Sequence, residues 1–329
     1  MSAKINQDNL EIVVLDGHTL NPGDLSWSGF ESLGHLSVYP RTLPSDIIQR
    51  AGGADIILVN KVVLNRETLF QLPRLKCICV TATGYNNIDL AAATERGIAV
   101  CNATGYGSPS VAQHVFALLL EHTNQVALHH QSVLKGEWSG QADFSYTLRP
   151  LIELRDKTMG ILGLGRIGRE VAEIARAFGM QVIAYHRREL AGAPDWISFT
   201  DLPELFAKSD VLTLHVPLTP ETRGIVNETT LGEMRENAIL INTGRGELIA
   251  EDDLYRALCI GRPRLAALDV LATEPPPFGH PLFTLPNCII TPHIAWATRE
   301  ARSRLLNITL ANVQAFIQGN PQNLVNPIG

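Results

Sequence analysis

Long runs of a single character are what this sequence lacks. No lysine- or arginine-rich stretch occurs in its 329 residues, and the formal net charge is -6. The electrostatic footprint of a nucleic-acid-binding protein is therefore missing. No apolar stretch approaches the ~18 uncharged residues of a membrane span. The first residues, Met1 to Leu10, are polar; they lack the apolar region of a secretory signal and read as a short tail before the first strand. Neither nucleic acid nor a membrane is expected as a partner. Cysteine is scarce as well. Only Cys77, Cys79, Cys101, Cys259 and Cys288 occur, and no second Cys/His pair at zinc spacing accompanies the Cys77-x-Cys79 pair. No metal site is expected. The odd number, with three of the five in apolar strand-like runs, points to buried free thiols in a reducing cytoplasm.

What is present is alternation. Short apolar runs alternate with amphipathic stretches, the pattern of parallel sheets wrapped by helices. The length suggests two domains. In the first third, strands are expected at Ile12–Leu15, Ile56–Val59, Ile78–Val80 and Ile98–Cys101. Helical stretches such as Ser45–Ala51 and Asp89–Arg96 separate them. Gly97 suits the end of the second helix. One long helix is expected from Ser108 to about Lys135, with Ser108 as cap and Pro109 in its first turn. Its run Val115–Leu120 is apolar on nearly every side, which predicts deep burial between domains. A second series begins after Asp156, with strands at Thr158–Leu162, Gln181–Tyr185, Val211–Val216, Ala238–Asn242, Leu265–Val270 and Cys288–Thr291. A last helix, Thr298 to Gln318, follows the second series but is free to pack on the first domain. The expected class is α/β, with two doubly wound parallel-sheet domains, one a Rossmann dinucleotide-binding domain and the other flavodoxin-like. The expected division is 1–103 plus 298–329 for a discontinuous substrate domain, and 104–297 for the cofactor domain.

Gly163-Leu164-Gly165-Arg166-Ile167-Gly168 is a G-x-G-x-x-G sequence. Alone it is a weak signal. Here it follows an apolar strand and opens a helix that Gly179 ends before the next strand, the context of a dinucleotide fingerprint. Gly163 permits the tight turn, Gly165 lets the backbone approach a pyrophosphate, and Gly168 lets helix and strand pack closely. The helix amides, beginning at Arg166 and Ile167, receive the phosphates. The strand that follows ends in His186-Arg187-Arg188. The Asp or Glu that usually binds a ribose 2′-hydroxyl about 20 residues on is absent, and two guanidinium groups stand there to pair with a 2′-phosphate. NADP is the favoured cofactor and NAD the second possibility.

Three segments at the ends of later strands carry suitable chemistry: Thr243-Gly244-Arg245, Asp269 to Glu274, and His293. Loops at the C-terminal ends of strands are where open α/β sheets place ligands. An arginine clamps a carboxylate through two parallel hydrogen bonds. A histidine moves a proton near neutral pH, and a neighbouring carboxylate fixes its tautomer. Each residue alone reads more naturally as structural; the three together, behind a dinucleotide fingerprint, read as a reacting centre.

In the order and spacing of Arg245, Glu274 and His293 the chain resembles the D-isomer-specific 2-hydroxyacid dehydrogenase family. The resemblance covers nearly the whole chain: Thr81-Ala82-Thr83-Gly84-Tyr85-Asn86-Asn87-Ile88-Asp89 is similar to its substrate-carboxylate loop, Val111-Ala112-Gln113-His114 to its long helix, and His215-Val216-Pro217-Leu218-Thr219 to its nicotinamide-side strand end. Asn60-Lys61, His293-Ile294-Ala295-Trp296-Ala297 and the closing Gly319–Val325 segment are most like the hydroxypyruvate reductase (glycerate dehydrogenase) branch. Asn86 departs from the common Asp of the first loop and Gln113 from the common Glu of the helix. The resemblance implies hydride transfer between a nicotinamide cofactor and a small 2-keto or 2-hydroxy acid, either hydroxypyruvate/D-glycerate or glyoxylate/glycolate. It implies Arg245, Glu274 and His293 as catalytic residues, and Asn60, Thr83 and Gly84 with Arg245 and His293 around the substrate. His215, Val216, Pro217, Thr222, Thr243, Gly244 and Asp269 would line the cofactor, with Asp269 holding the nicotinamide amide or the cleft wall. Relatives commonly form homodimers, with Phe144–Leu154 as a candidate interface segment. Some proteins of the same fold act instead as nucleotide-sensing corepressors; the absence of a basic region argues against that alternative.

Overall fold

A computed structural model of the chain describes residues 9–187 and 192–327. In chain order the elements are β1 (Glu11–Val14), α1 (Ser28–Glu31), β2 (His35–Val38), α2 (Ile47–Ala51), β3 (Ile56–Val59), α3 (Arg66–Phe70), β4 (Cys77–Val80), α4 (Leu90–Glu95) and β5 (Ala99–Cys101). Then come α5 (Ser108–Asn124), α6 (Val126–Leu134), β6 (Thr158–Leu162), α7 (Arg166–Ala177), β7 (Gln181–Tyr185), β8 (Ile197–Phe199), α8 (Leu202–Lys208) and β9 (Val211–Leu214). The chain ends with α9 (Glu228–Glu233), β10 (Ile239–Asn242), α10 (Glu251–Cys259), β11 (Leu265–Leu268), β12 (Cys288–Ile290) and α11 (Arg299–Ile317). The chain divides into two compact units, Met1–Gly107 with Ala297–Gly329, and Ser108–Trp296. Residues 104–107 and Ala297 thus go with the first unit, where Arg304 Nε donates to the Tyr106 carbonyl and Arg302 Nε to that of Ala297.

Unit 1 is a five-stranded parallel sheet in the order β2-β1-β3-β4-β5, the flavodoxin-like winding. Its inner strands β3 and β4 are buried on both faces, which explains why they read as continuous apolar runs. The edge strand β2 has no fully buried residue; its sequence carries no apolar run, and sequence reading missed it. Helix α11 packs on β4. Its Arg302 is buried and holds both carboxylate oxygens of Asp24 at 2.7 Å, a bidentate pair of the strong kind.

Unit 2 is a seven-stranded parallel sheet, β12-β11-β10-β9-β6-β7-β8, the dinucleotide-binding order with one added edge strand. The winding reverses between β6 and β9. The long helix expected from Ser108 to Lys135 is two helices. Gln125 adopts a left-handed conformation (φ 52°) between α5 and α6, a break with no glycine or proline to announce it. Ala112, Val115, Phe116, Leu118 and Leu119 of α5 pack with Met159, Ile161 and Val171 in the core of unit 2 itself. Among the described residues no helix is long and apolar enough to cross a membrane.

Candidate active site

The phosphate turn lies at the C-terminal end of β6, beside the point where the sheet reverses. Its three glycines differ in what surrounds them. Gly163 has φ +100°, and a Cβ there would lie 2.8 Å from the His215 backbone. A Cβ at Gly168 would fall 2.3 Å from the Gly163 carbonyl oxygen. Both are required by the protein's own packing. Gly165 is not: a Cβ there would meet nothing within 4 Å. That open space is what a pyrophosphate needs. Helices α3, α4, α8, α9 and α11 each have an N-cap side chain accepting a backbone N–H. Helix α7 starts at Gly165 with no such cap, leaving its N-terminal amides for an anion.

At the neighbouring strand ends, the His215 N–H donates to the Leu162 carbonyl and its Nε2 meets Thr213 Oγ1 at 3.0 Å. Burial pushes the His215 imidazole down to about 3, so this ring is neutral at ordinary pH. Val216 packs over Gly163. Thr222 spends its hydroxyl locally, donating to the Pro217 carbonyl and accepting from the Thr219 N–H; it shapes the turn. Thr243 Oγ1, in contrast, is buried with no hydrogen-bond partner among the described residues, an atom whose desolvation calls for a ligand. Beyond β7, His186 is half-buried and Arg187 exposed. Arg187 lies close enough to Glu221 to help lower its carboxyl, after the Thr219 hydroxyl and Glu221's own backbone. Arg188 lies outside the described residues. The donors and the open glycine fit a dinucleotide.

The loops that carry Arg245, Glu274 and His293 follow β10, β11 and β12, three adjacent strands. Buried Asn242 shapes the first loop, its side chain donating to the Arg245 carbonyl and accepting the Gly244 N–H. A Cβ at Gly246 would lie 1.9 Å from the Leu271 carbonyl carbon, so only glycine lets the Arg245 and Glu274 loops pack together. Arg245 itself is exposed. Glu274 Oε1 accepts the Leu271 N–H at 3.2 Å, and its Oε2 lies 2.6 Å from His293 Nδ1. With Nδ1 bound to a carboxylate, Nε2 is the nitrogen left to face a reactant; it has no protein partner among the described residues. His293 is left-handed, with φ 54°, a conformation that a side-chain-bearing residue adopts only when its surroundings impose it.

Asp269 imposes it. The Asp269 carbonyl accepts the His293 N–H at 2.8 Å, and its carboxylate accepts the Ile294 and Ala295 N–H groups and the Thr291 hydroxyl. Burial pushes the carboxyl up, but bonds from His114, Thr291, Ala295 and Ile294 outweigh that and hold it below the usual carboxylate range. The side chain is fully enclosed, and its bonds hold the loop that carries His293. The sequence-based expectation for Asp269 is the nicotinamide amide or the cleft wall.

Asn60, Thr83 and Gly84 belong to unit 1, after β3 and β4. Buried Asn60 donates through Nδ2 to Thr19 Oγ1. Asp16 collects the N–H groups of Asn60, Lys61 and Val62 on its carboxylate. Thr83 donates to the Ala103 carbonyl and offers its own carbonyl to Asn102. A cavity of about 500 Å³ opens nearby at the ends of β1, β2 and β3, lined by Asp16, Thr19, Arg41, Thr42 and Lys61 among others. It includes none of the three expected substrate residues. No group of three or more metal-binding side chains forms among the described residues.

Known proteins resemble this chain over most of its length. The family profile described as D-isomer specific 2-hydroxyacid dehydrogenase, NAD binding domain, matches residues 116–295. A hydroxypyruvate reductase of Blautia hydrogenotrophica is 46% identical over 321 residues, 96% of this chain and 100% of that protein. A glycerate dehydrogenase of Methylorubrum extorquens is 41% identical over 284 residues, 86% of this chain and 88% of that protein. The solved structure of an acyclic imino acid reductase in complex with NADPH and D-Arg superposes with a TM-score of 0.83 at 32% identity, covering 96% of this chain and 100% of that one.

Proposed function

The chain belongs to the D-isomer-specific 2-hydroxyacid dehydrogenase family, and on that premise we propose that it reduces hydroxypyruvate to D-glycerate, accepts glyoxylate as a second substrate, and prefers NADPH to NADH. Hydride transfer with a nicotinamide cofactor is the reaction of the class; the substrate and the phosphate preference are our reading. The observation that carries it is the 2.6 Å contact of Glu274 with His293 Nδ1, in the same sheet as the phosphate turn. In this reading unit 1 is the substrate domain and unit 2 the cofactor domain.

A bound nicotinamide supplies or accepts the hydride. Arg245 holds the substrate carboxylate through paired charge-assisted bonds. His293 delivers a proton from Nε2 to the carbonyl oxygen as negative charge develops there. Glu274 accepts a hydrogen bond from Nδ1 and so fixes the orientation of the ring. Thr243 Oγ1 and the amides at the start of α7 hold the dinucleotide, and His186, Arg187 and Arg188 meet a 2′-phosphate.

Two features support the remaining parts of the reading. The stretch from 126 to 151 exposes Val126, Leu134, Trp138, Phe144 and Leu151, with Phe144 90% exposed. Exposed apolar side chains gathered in one segment suit a protein interface, and we assign them to a homodimer, which light scattering on the purified protein checks. All five cysteines are free, which suits a reducing cytoplasm.

The test is a panel of 2-keto acids against NADPH and NADH, read by loss of reduced-nicotinamide absorbance. The highest kcat/KM is expected for hydroxypyruvate with NADPH. Turnover confined to other keto acids overturns the substrate, and a higher kcat/KM with NADH overturns the cofactor. Arg187→Ser is expected to raise KM for NADPH about tenfold, the effect of losing one charged partner of a phosphate, and to leave KM for NADH nearly unchanged.

A further inference from the structure

Ser110 and His114 stand one turn apart on α5, and therefore on one face of it. Both reach the loop that carries His293, and they reach it on either side of that residue. Ser110 Oγ donates to the Ala295 carbonyl at 2.6 Å. His114 Nε2 lies 3.0 Å from Thr291 Oγ1 and 3.4 Å from Asp269 Oδ1. Thr291 has one hydroxyl proton, and its 2.6 Å bond to the Asp269 carboxylate uses it. Thr291 can then only accept from His114, so His114 Nε2 is the donor. The bonds run in one direction, from His114 to Thr291 to Asp269. Asp269 in turn grips the Ile294 and Ala295 amides. A left-handed, non-glycine His293 is held from residues two positions before it and two after it.

We propose that Ser110 and His114 are positioning residues for the reaction, and that α5 acts as a splint setting where His293 Nε2 stands. The inference rests on the reading of His293 as the proton carrier. It extends the reacting centre to a helix that touches neither reactant in that reading. A proton donor displaced by a fraction of an ångström loses rate while substrate and cofactor binding persist, and the variants should show that split.

The test uses the full-length enzyme with NADPH and whichever 2-keto acid it turns over best. His114→Phe keeps an aromatic ring but removes the donor. It is expected to lower kcat about tenfold, the effect of one lost hydrogen bond in a charged network. KM for the keto acid and Kd for NADPH should stay near wild type. His114→Gln places a donor near the position of Nε2 and should recover most of the rate. Ser110→Ala should lower kcat in the same direction by less. In a His293→Ala background, His114→Phe should have no further effect on kcat, because residues that act through one group are not additive. Wild-type kcat in His114→Phe overturns the proposal. So does a His114→Gln variant as slow as His114→Phe, or a His114→Phe effect that persists in full without His293. If His114→Phe does not fold, Ser110→Ala carries the same comparison. A His293→Ala enzyme with normal turnover sinks instead the reading on which the proposal rests, and so the two failures are distinguishable.

Discussion

Both sheets tie down a strand-end loop in the same way, and they do so for different ends. In unit 1, Asp16 follows β1 and collects three backbone N–H groups from the loop after the neighbouring β3. In unit 2, Asp269 follows β11 and collects two, plus a hydroxyl, from the loop after the neighbouring β12. A carboxylate at the end of a parallel strand faces the start of the next loop, and neighbouring amides are its natural donors. In unit 1 the captured loop holds Asn60 and no proton carrier. In unit 2 it holds His293 in a left-handed turn, backed by Glu274 and by α5. On the proposed reading, one local device serves the shape of a loop in the first case and the aim of a side chain in the second.

The largest effect expected from breaking that difference is at His293. His293→Ala should lower kcat by about 10²–10⁴-fold, the range for losing a general acid, with the unfolding midpoint little changed. Near-normal kcat would make the Asp269 loop as purely architectural as the Asp16 loop.

The next effect separates the two carboxylates. Asp269→Asn and Asp16→Asn each set an NH₂ group against a backbone donor. Each should cost about 1–3 kcal/mol of stability, the penalty for a buried group left unpaired. Only Asp269→Asn should also lower kcat, by about 10–100-fold, as lost outer supports of a reacting group do. Asp16→Asn should leave kcat within about threefold and raise KM. Denaturant unfolding beside steady-state kinetics checks both; equal kcat losses would erase the distinction.

A smaller effect contrasts two glycines of one turn. Gly168→Ala forces a Cβ to 2.3 Å from a carbonyl oxygen and should cost about 1–3 kcal/mol of stability. Gly165→Ala points into open space. It should change stability by less than about 0.5 kcal/mol and weaken cofactor affinity about tenfold, a loss of about 1.4 kcal/mol. Calorimetric titration with NADPH and NADH distinguishes them. Unweakened binding in Gly165→Ala would remove the turn from the cofactor site.

These contrasts also mark where the sequence was readable. The inner strands were legible because burial on both faces writes an unbroken apolar run, as in β3, β4 and β11. The edge strands β2 and β8 were not, because each leaves residues exposed and β8 is three residues long. The phosphate turn was legible because its glycines answer to local geometry. The bonds of Asp269, Thr291, Ser110 and His114 were hidden, because each joins residues distant in the chain and forms only once the elements are side by side. The left-handed His293 was hidden for the same reason: a histidine there carries no local mark of the turn that tertiary bonds impose.

The last contrast is one of pH, and it compares two titrating groups of unit 2 that are both lowered by the fold but titrate in different pH windows. His215 is held neutral by burial, with its folded value about 3 against 6.5 for an ordinary imidazole. Between those values the unfolded chain binds a proton that the native state refuses, so stability falls as pH falls through that window, by up to about 1.4 kcal/mol per pH unit. His122 is lowered as well, first by burial and then by Arg264 and Arg149, and adds to the same slope. Asp269 acts in the same direction but at lower pH. Its folded carboxyl lies below 3.8, so its contribution is intact above that value and is lost only as the pH falls further. From pH 7 to pH 5 the slope is therefore set by imidazoles and not by the Asp269 carboxylate. His215→Gln should retain about 2 kcal/mol more of its stability than wild type over that interval, read from urea unfolding at the two pH values. Parallel losses in the two proteins would show that His215 titrates normally in the native state, and that its ring is not the neutral wall beside the phosphate turn that its burial implies.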